Sequence, residues 1–289
     1  FTREDSCEWT VECNPDSLTE EKIGALAASG VTRLSLGVQS FSAQTRSVLG
    51  RRGELGDLGR LLDRARAEGI LHHSMDLIYA VPGQTVIQWA DDLARAVEFG
   101  IDHLSAYALT VEEGTRLARE KLPLVDDTLF CELWDTTDQM LAQAGLHRYE
   151  VSNFSRPGCA CRHNLDIWQG GTYLGLGPAA VSFDGRDRFA NSADLEFWLT
   201  GGAPEVDRLP SEERLSEIFA FGFRTLAGWN VDLFTEQFGV EVEAFFGAEL
   251  ASLTEAGLVE RRGTTIGPTR RGLLLNDTLV AQLLFRRDS

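Results

Sequence analysis

Three polar residues stand late in runs that otherwise read as apolar strands: Glu12 in Trp9-Thr10-Val11-Glu12-Cys13, Gln39 in Leu34-Ser35-Leu36-Gly37-Val38-Gln39, and Asp76 in Ser74-Met75-Asp76-Leu77-Ile78-Tyr79. Desolvating a carboxylate without a partner costs on the order of several kcal/mol, so such a residue in a strand needs a reason. In an α/β barrel, side chains at the carboxyl ends of the strands line the mouth where ligands bind. Two carboxylates placed there can also act as acid and base. The plainer alternative is that Glu12 and Asp76 cap the next helix or pair with an arginine. The five cysteines, Cys7, Cys13, Cys131, Cys159 and Cys161, contain no CxxC, and neither Cys159-Ala160-Cys161 nor the Cys7/Cys13 pair makes a self-sufficient metal site. His72, His73, His103 and His147 show no metal-ligand spacing and read as structural. No metal site is expected from these residues.

The elements that would carry these residues alternate. Strand-like runs ending near Glu12, Gln39, Asp76 and Tyr107 recur roughly every 30 residues, close to one βαβ unit. Helical stretches lie between them: one up to Ala28, stopped by Gly30; one over roughly Glu54 to Glu68; one from Gln84-Thr85 to Phe99. That alternation predicts a parallel sheet. A long helix is expected over Asp126 to Ala144, then a strand at Arg148-Tyr149-Glu150-Val151. Residues 152–190 are Gly- and Asn-rich with little helical period and read as loop, and Gly201 to Arg208 as linker. Helices follow at Ser211 to Thr225, Asp232 to Phe238 and Val242 to Ala256, then a hairpin over Gly257 to Pro268 and a last helix ending near Phe285. Helices closed by a hairpin resemble a winged helix, but a fold analogy alone carries no DNA-binding function.

The 289 residues carry a net charge of −17, which repels phosphate backbones and argues against nucleic acid as a partner. No run approaches the roughly 18 apolar residues of a membrane span, so any membrane association is at most peripheral. An odd cysteine count in a chain this long suits a reducing cytoplasm. The start, Phe1-Thr2-Arg3-Glu4-Asp5, is polar and acidic, and no signal peptide is expected from it.

Taken in order, Val11-Glu12-Cys13-Asn14-Pro15, Leu36-Gly37-Val38-Gln39-Ser40-Phe41, Leu49-Gly50-Arg51, Asp76-Leu77-Ile78-Tyr79 with Pro82-Gly83-Gln84-Thr85, and Tyr149-Glu150-Val151-Ser152-Asn153-Phe154 with Cys161-Arg162-His163-Asn164 resemble the oxygen-independent coproporphyrinogen III oxidase family of radical S-adenosylmethionine (SAM) proteins. His163-Asn164-Leu165-Asp166-Ile167-Trp168 resembles the HNxxYW signature of its heme chaperone (HemW-like) branch, with Ile167 in place of Tyr. The resemblance runs from about residue 9 to the C-terminus. It implies an α/β fold: a partial (β/α) radical SAM barrel followed by a mostly helical, winged-helix-like C-terminal domain. Residues 1–115 would supply the third to sixth barrel strands, 116–200 a barrel-closing and loop region, and 201–289 the C-terminal domain.

The resemblance also implies that Glu12, Gln39, Arg51 and Asp76 contact SAM. A carboxylate suits ribose hydroxyls or the sulfonium, and an arginine suits the methionine carboxylate. Taken alone, Arg51 followed by Arg52 reads as surface charge. His163 would be a ligand for heme iron, with Asn164 beside it and the Trp168 indole packed on the macrocycle; the alternative is a hydrogen-bonded structural histidine. Cys161 is a second candidate ligand. The function implied is binding heme for transfer to an acceptor protein that the sequence does not name. Coproporphyrinogen III oxidase activity in porphyrin biosynthesis, or a non-catalytic remnant serving as an interaction module, are the other readings, so enzymatic turnover is left open. The CxxxCxxC loop that holds the 4Fe-4S cluster in the family is missing from these residues, and the first residue is not Met; the expectation is a piece of a longer protein that carries the cluster elsewhere. Ala80 stands where the family has Gly, and Val181 where a GxGAHS-type loop has His.

Overall fold

The computed structural model describes residue 4, residues 6–51 and residues 53–284; Phe1, Thr2, Arg3, Asp5, Arg52 and Phe285, read above, lie outside the described residues. The chain divides into two compact units, Phe1–Ala160 and Cys161–Ser289. The stretch 116–200, taken from the sequence as one region, is thus shared between them.

The first unit runs β1 (Thr10–Cys13), α1 (Glu20–Ser29), β2 (Arg33–Gln39), α2 (Ala43–Val48), α3 (Leu58–Ala67), β3 (His72–Tyr79), α4 (Val86–Glu98), β4 (His103–Ala108), α5 (Arg116–Glu120), α6 (Asp127–Gln143), β5 (His147–Arg148) and β6 (Asn153–Ser155). These strands form one sheet in the order β1-β2-β3-β4-β6-β5. The first four are parallel, and β6 and β5 return antiparallel. This is the expected partial α/β barrel.

Local chemistry sets the helix ends. The Thr19 hydroxyl caps α1, and Gly30 ends it at φ 86°, a left-handed geometry that glycine adopts without strain. Thr85 and Gln88 form a capping box at the start of α4. The third helix starts at Leu58 rather than Glu54, because Asp57 supplies its cap.

Alternation along each strand gives the sheet two different faces. Leu34, Leu36, Val38, Met75, Leu77, Tyr79, Leu104 and Ala106 are buried on the face covered by helices, together with Ile23, Leu62, Trp89, Leu93, Leu133 and Leu141. The Trp89 indole donates to Thr137 Oγ1 at 2.8 Å, tying α4 to α6. The other face is polar: Thr10, Glu12, Arg33, Ser35, Ser74, Asp76, His103, Ser105 and Asn153 follow one another across the register, and Gln39 pairs with Leu77 past a register shift.

The second unit contains α7 (Arg162–Trp168), β7 (Val181–Phe183), β8 (Arg188–Ala190), α8 (Leu195–Leu199), β9 (Glu205–Asp207), α9 (Ser211–Gly222), β10 (Trp229–Asn230), α10 (Val231–Phe238), α11 (Val242–Glu255), β11 (Val259–Arg262), β12 (Thr265–Pro268), α12 (Arg270–Leu274) and α13 (Asn276–Leu284). It is mostly helical, with two three-stranded antiparallel sheets, β7-β8-β9 and β10-β12-β11. Its core centres on Phe219, which stacks on Phe246 with centroids 3.9 Å apart. Gly222 is needed there: a Cβ would fall 2.0 Å from the Trp229 indole nitrogen.

Two expectations are corrected. The supposed loop 152–190 holds β6, α7, β7 and β8, and the supposed linker 201–208 holds β9. Three-residue strands and a two-turn helix are too short for a hydrophobic period to show.

Candidate functional site

The polar face of the first unit is densest at the carboxyl ends of β1 to β3. Asp76 is half-buried, and both of its oxygens lie 3.2 Å from Ser35 Oγ, which donates to them. Ser105 is its register partner on β4 and also hydrogen-bonds to it. Burial pushes the Asp76 carboxyl above the usual range; the Ser105 and Ser35 hydrogen bonds pull it back, and the Glu12 charge adds to the rise. Glu12 is exposed and sits opposite Ser35 in the register. Tyr107 joins the group: desolvation raises its phenol, a bond to Ser105 opposes that, and the Asp76, Glu150 and Glu12 charges raise it further. Glu150 is 1% exposed and accepts from Ser152 N at 2.8 Å and Asn153 Nδ2 at 2.6 Å.

Gln39 ends β2 at φ 66°, a left-handed conformation that costs a non-glycine residue roughly 1–3 kcal/mol. The turn after it is pinned by the fully buried Asp92 on α4, which accepts from Ser40 Oγ and Phe41 N, both at 2.6 Å. Gly37 leaves room beside it: a Cβ there would lie 3.0 Å from Gln39 Nε2 and 3.8 Å from Asn14 Oδ1. The same Asn14 oxygen accepts from Arg51 Nη1 at 3.3 Å. Gln39 and Arg51 are therefore gathered around Asn14, just past the end of β1, while Glu12 and Asp76 flank Ser35. All four sequence-derived residues fall at one end of the sheet. Asn14, Ser35, Ser105, Tyr107 and Glu150 were not singled out from sequence as site residues, although Asn14 and Glu150 lie in the motifs quoted above. Serines and a tyrosine in strands carry no comparable signal.

The second set behaves differently. His163 is exposed near the start of α7. Asn164 Oδ1 accepts a weak bond from Cys161 Sγ at 3.5 Å. Trp168 lies five residues beyond His163, about 140° around a helix, so the two project on different sides. The indole packs inward, edge-on to Phe221, with the Arg224 guanidinium 4.4 Å above its ring. Its Nε1 is buried without a hydrogen-bond partner. The cavity beside it, bordered by Tyr173, Phe183, Ile218 and Phe221, holds about 250 Å³, less than the roughly 300–1,000 Å³ of ordinary ligand pockets. A macrocycle does not enter it. Trp168 and His163 are not brought together as one binding face.

The described residues do not fit a 4Fe-4S cluster. Among the described residues, the group of three His, Cys, Asp or Glu ligand atoms lying within 4.8 Å of one another is His72, Asp102 and Cys159, with one thiol only.

Residues 3–96 match the family model of the Radical SAM superfamily, and residues 209–275 that of the HemN C-terminal domain. The chain is 30% identical to "Heme chaperone HemW" of Bacillus subtilis, over 97% of this chain and 76% of that one. It is 35% identical to "Heme chaperone HemW" of Mycobacterium tuberculosis, over 98% and 73%. The chain belongs to the HemW family of radical SAM proteins. The chain is also 34% identical to "Radical S-adenosyl methionine domain-containing protein 1, mitochondrial" of Mus musculus, over 96% of this chain and 67% of that one. The fold is that of the HemN coproporphyrinogen III oxidase of Escherichia coli, with a TM-score of 0.80 over 96% of this chain and 70% of that one at 22% identity. No helix among the described residues is long and apolar enough to cross a membrane.

Proposed function

We propose that this HemW-family chain is a heme chaperone, which takes up heme and passes it to an acceptor protein, and that Glu12, Gln39, Arg51 and Asp76 bind SAM. The observation that carries the first half is identity of 30–35% to curated heme chaperones across nearly the whole chain. The likeness to the oxidase, at 22% identity, extends to fold alone.

Support for the second half is the donor set. Bound SAM supplies an amino-acid end, a ribose with two hydroxyls and a sulfonium cation. Asp76, fixed by Ser35 and Ser105, and Glu12 offer acceptors for hydroxyls and negative charge against the cation. Arg51 offers a fork for a carboxylate. The space left by Gly37 lets a ligand approach the backbone beside Gln39. Five free cysteines suit a reducing compartment, and we place the protein in the cytoplasm.

Heme titration of the 289-residue chain, followed at the Soret band, is expected to saturate with micromolar or tighter affinity. The His163→Ala variant is expected to bind at least tenfold more weakly. An unshifted Soret band would overturn the chaperone reading. Unchanged affinity in the variant would remove His163 as the ligand. For SAM, Asp76→Asn is expected to weaken binding about tenfold by calorimetry, a loss of roughly 1.4 kcal/mol.

A further inference from the structure

At the end of the sheet opposite the carboxyl-terminal cluster, His72 opens β3, Asp102 immediately precedes β4, and Cys159 follows β6. Their ligand atoms, an imidazole nitrogen, a carboxylate oxygen and a thiol sulfur, all lie within 4.8 Å of one another. His72 Nδ1 and Asp102 Oδ2 are 2.5 Å apart. We propose that His72, Asp102 and Cys159 form a binding site for one divalent transition-metal ion of the zinc class, independent of the heme and SAM reading.

Four observations support a built site. First, the donor set is that of zinc and its neighbours: neutral imidazole, carboxylate and thiolate. A thiolate and a carboxylate together neutralise a dication, the thiol giving its proton to water as the metal binds. Second, the geometry is near that of a site. Zinc bonds of about 2.0–2.3 Å place tetrahedral ligand atoms roughly 3.3–3.8 Å apart, so closing Cys159 in and letting His72 and Asp102 separate by about 1 Å suffices. Third, each ligand is held from behind. Asp102 Oδ1 accepts from His73 N at 3.1 Å, leaving Oδ2 for the metal, and Asp102 N donates to His73 O at 3.1 Å. Cys159 N donates to Arg156 O at 3.0 Å, Arg156 N donates to Asp102 O at 2.9 Å, and the buried Arg33 donates to Cys159 O at 3.0 Å. Outer-shell bonds of this kind fix ligand orientation. Fourth, the His72 side chain is 41% exposed while Asp102 is 15% exposed, which gives an ion access and leaves a fourth position to water.

The three ligands come from three elements, 30 and 57 positions apart in sequence. The ion would therefore tie the starts of β3 and β4 to the segment leaving β6. That placement, at the end of the sheet away from Asp76, is one where residues serve stability more than chemistry.

The test uses cobalt(II) as a spectroscopic stand-in, added to the chelator-treated 289-residue chain. The expected result is a thiolate-to-cobalt charge-transfer band saturating at one equivalent and abolished by zinc. Cys159→Ser is expected to remove the band, and His72→Gln to weaken cobalt binding at least tenfold, with far-ultraviolet circular dichroism unchanged in both. Cys131→Ser is expected to leave it intact. Should Cys159→Ser not fold, Asp102→Asn with His72→Gln carries the same decision. Absence of the band in the parent chain, or a band that survives Cys159→Ser, overturns the proposal.

Discussion

Two buried residues show how conflicting terms are settled at the scale of a single side chain. Ala80 follows β3 at φ 58°. Left-handed backbone costs an alanine about 1–2 kcal/mol. Glycine would relieve that but lose roughly 0.4–1 kcal/mol through the unfolded state and about 0.8 kcal/mol of buried methyl. The terms nearly cancel, which accounts for alanine at a position where the resemblance calls for glycine. Ala80→Gly is expected to shift stability by less than about 1 kcal/mol in urea melts, whereas the β-branched Ala80→Val is expected to lose about 2 kcal/mol or more. His103 is buried between Ser74 Oγ at 2.7 Å and Tyr149 OH at 2.8 Å. Burial, then the Arg33 charge, lowers it to about 3. The fold keeps this imidazole neutral, while the unfolded chain takes up a proton below about pH 6.5. Stability is therefore lost as pH falls from 6.5 toward 3, by about 1.4 kcal/mol per pH unit from this group. Asp76 and Asp92, raised by burial, act in the opposite sense. Comparing urea midpoints at pH 7 and pH 5 for the parent and His103→Asn isolates the histidine: the variant is expected to take up about one proton fewer per unfolding event. Glu12, Gln39 and Asp76 were legible because polar residues are conspicuous in apolar strands. Ser35 and Ser105 were not, since a serine in a strand is ordinary until its hydroxyl is seen on Asp76.

Elements of ten residues or more, and long strands, could be read from the chain. Strands β2, β3 and β4 and helices α4, α6 and α11 lie within a few residues of their expected spans, because each has room for two or more turns or pleats, and α4 and α6 also carry a side-chain cap. The losses were α2, α5, α7, α8 and the strands β6 to β10, whose identity comes from tertiary pairing and not from local pattern. The α4 capping box gives the clearest element-level measurement. Thr85→Ala removes the hydroxyl that accepts from Gln88 N and is expected to cost about 1 kcal/mol. Because α4 carries Asp92, which fixes the turn after Gln39, the same substitution is expected to weaken SAM binding slightly, while Thr115→Ala at the cap of the short α5 leaves it unchanged.

For the molecule as a whole, charge and topology point away from nucleic acid. The winged hairpin of β11 and β12 offers Arg261 and Arg262, but Arg261 pairs with Glu243 and Arg262 with Glu260. With a net charge of −17 behind it, the chain is expected to show no retention of duplex DNA at 150 mM salt in a filter or polarisation assay. The winged-helix likeness was legible, and the intramolecular pairing of its arginines was not, since those partners are set by packing. The two faces of the first sheet have a further consequence. Folding free energy is drawn from the helix-covered face, whose side chains alternate one by one with those of the polar face. Selection can therefore act on one set of alternate positions while leaving the other untouched. A library randomised at Thr10, Glu12, Ser35 and Ser105 would explore new ligand chemistry on a scaffold whose folding was decided by the residues in between, and that separation is what makes such a sheet evolvable.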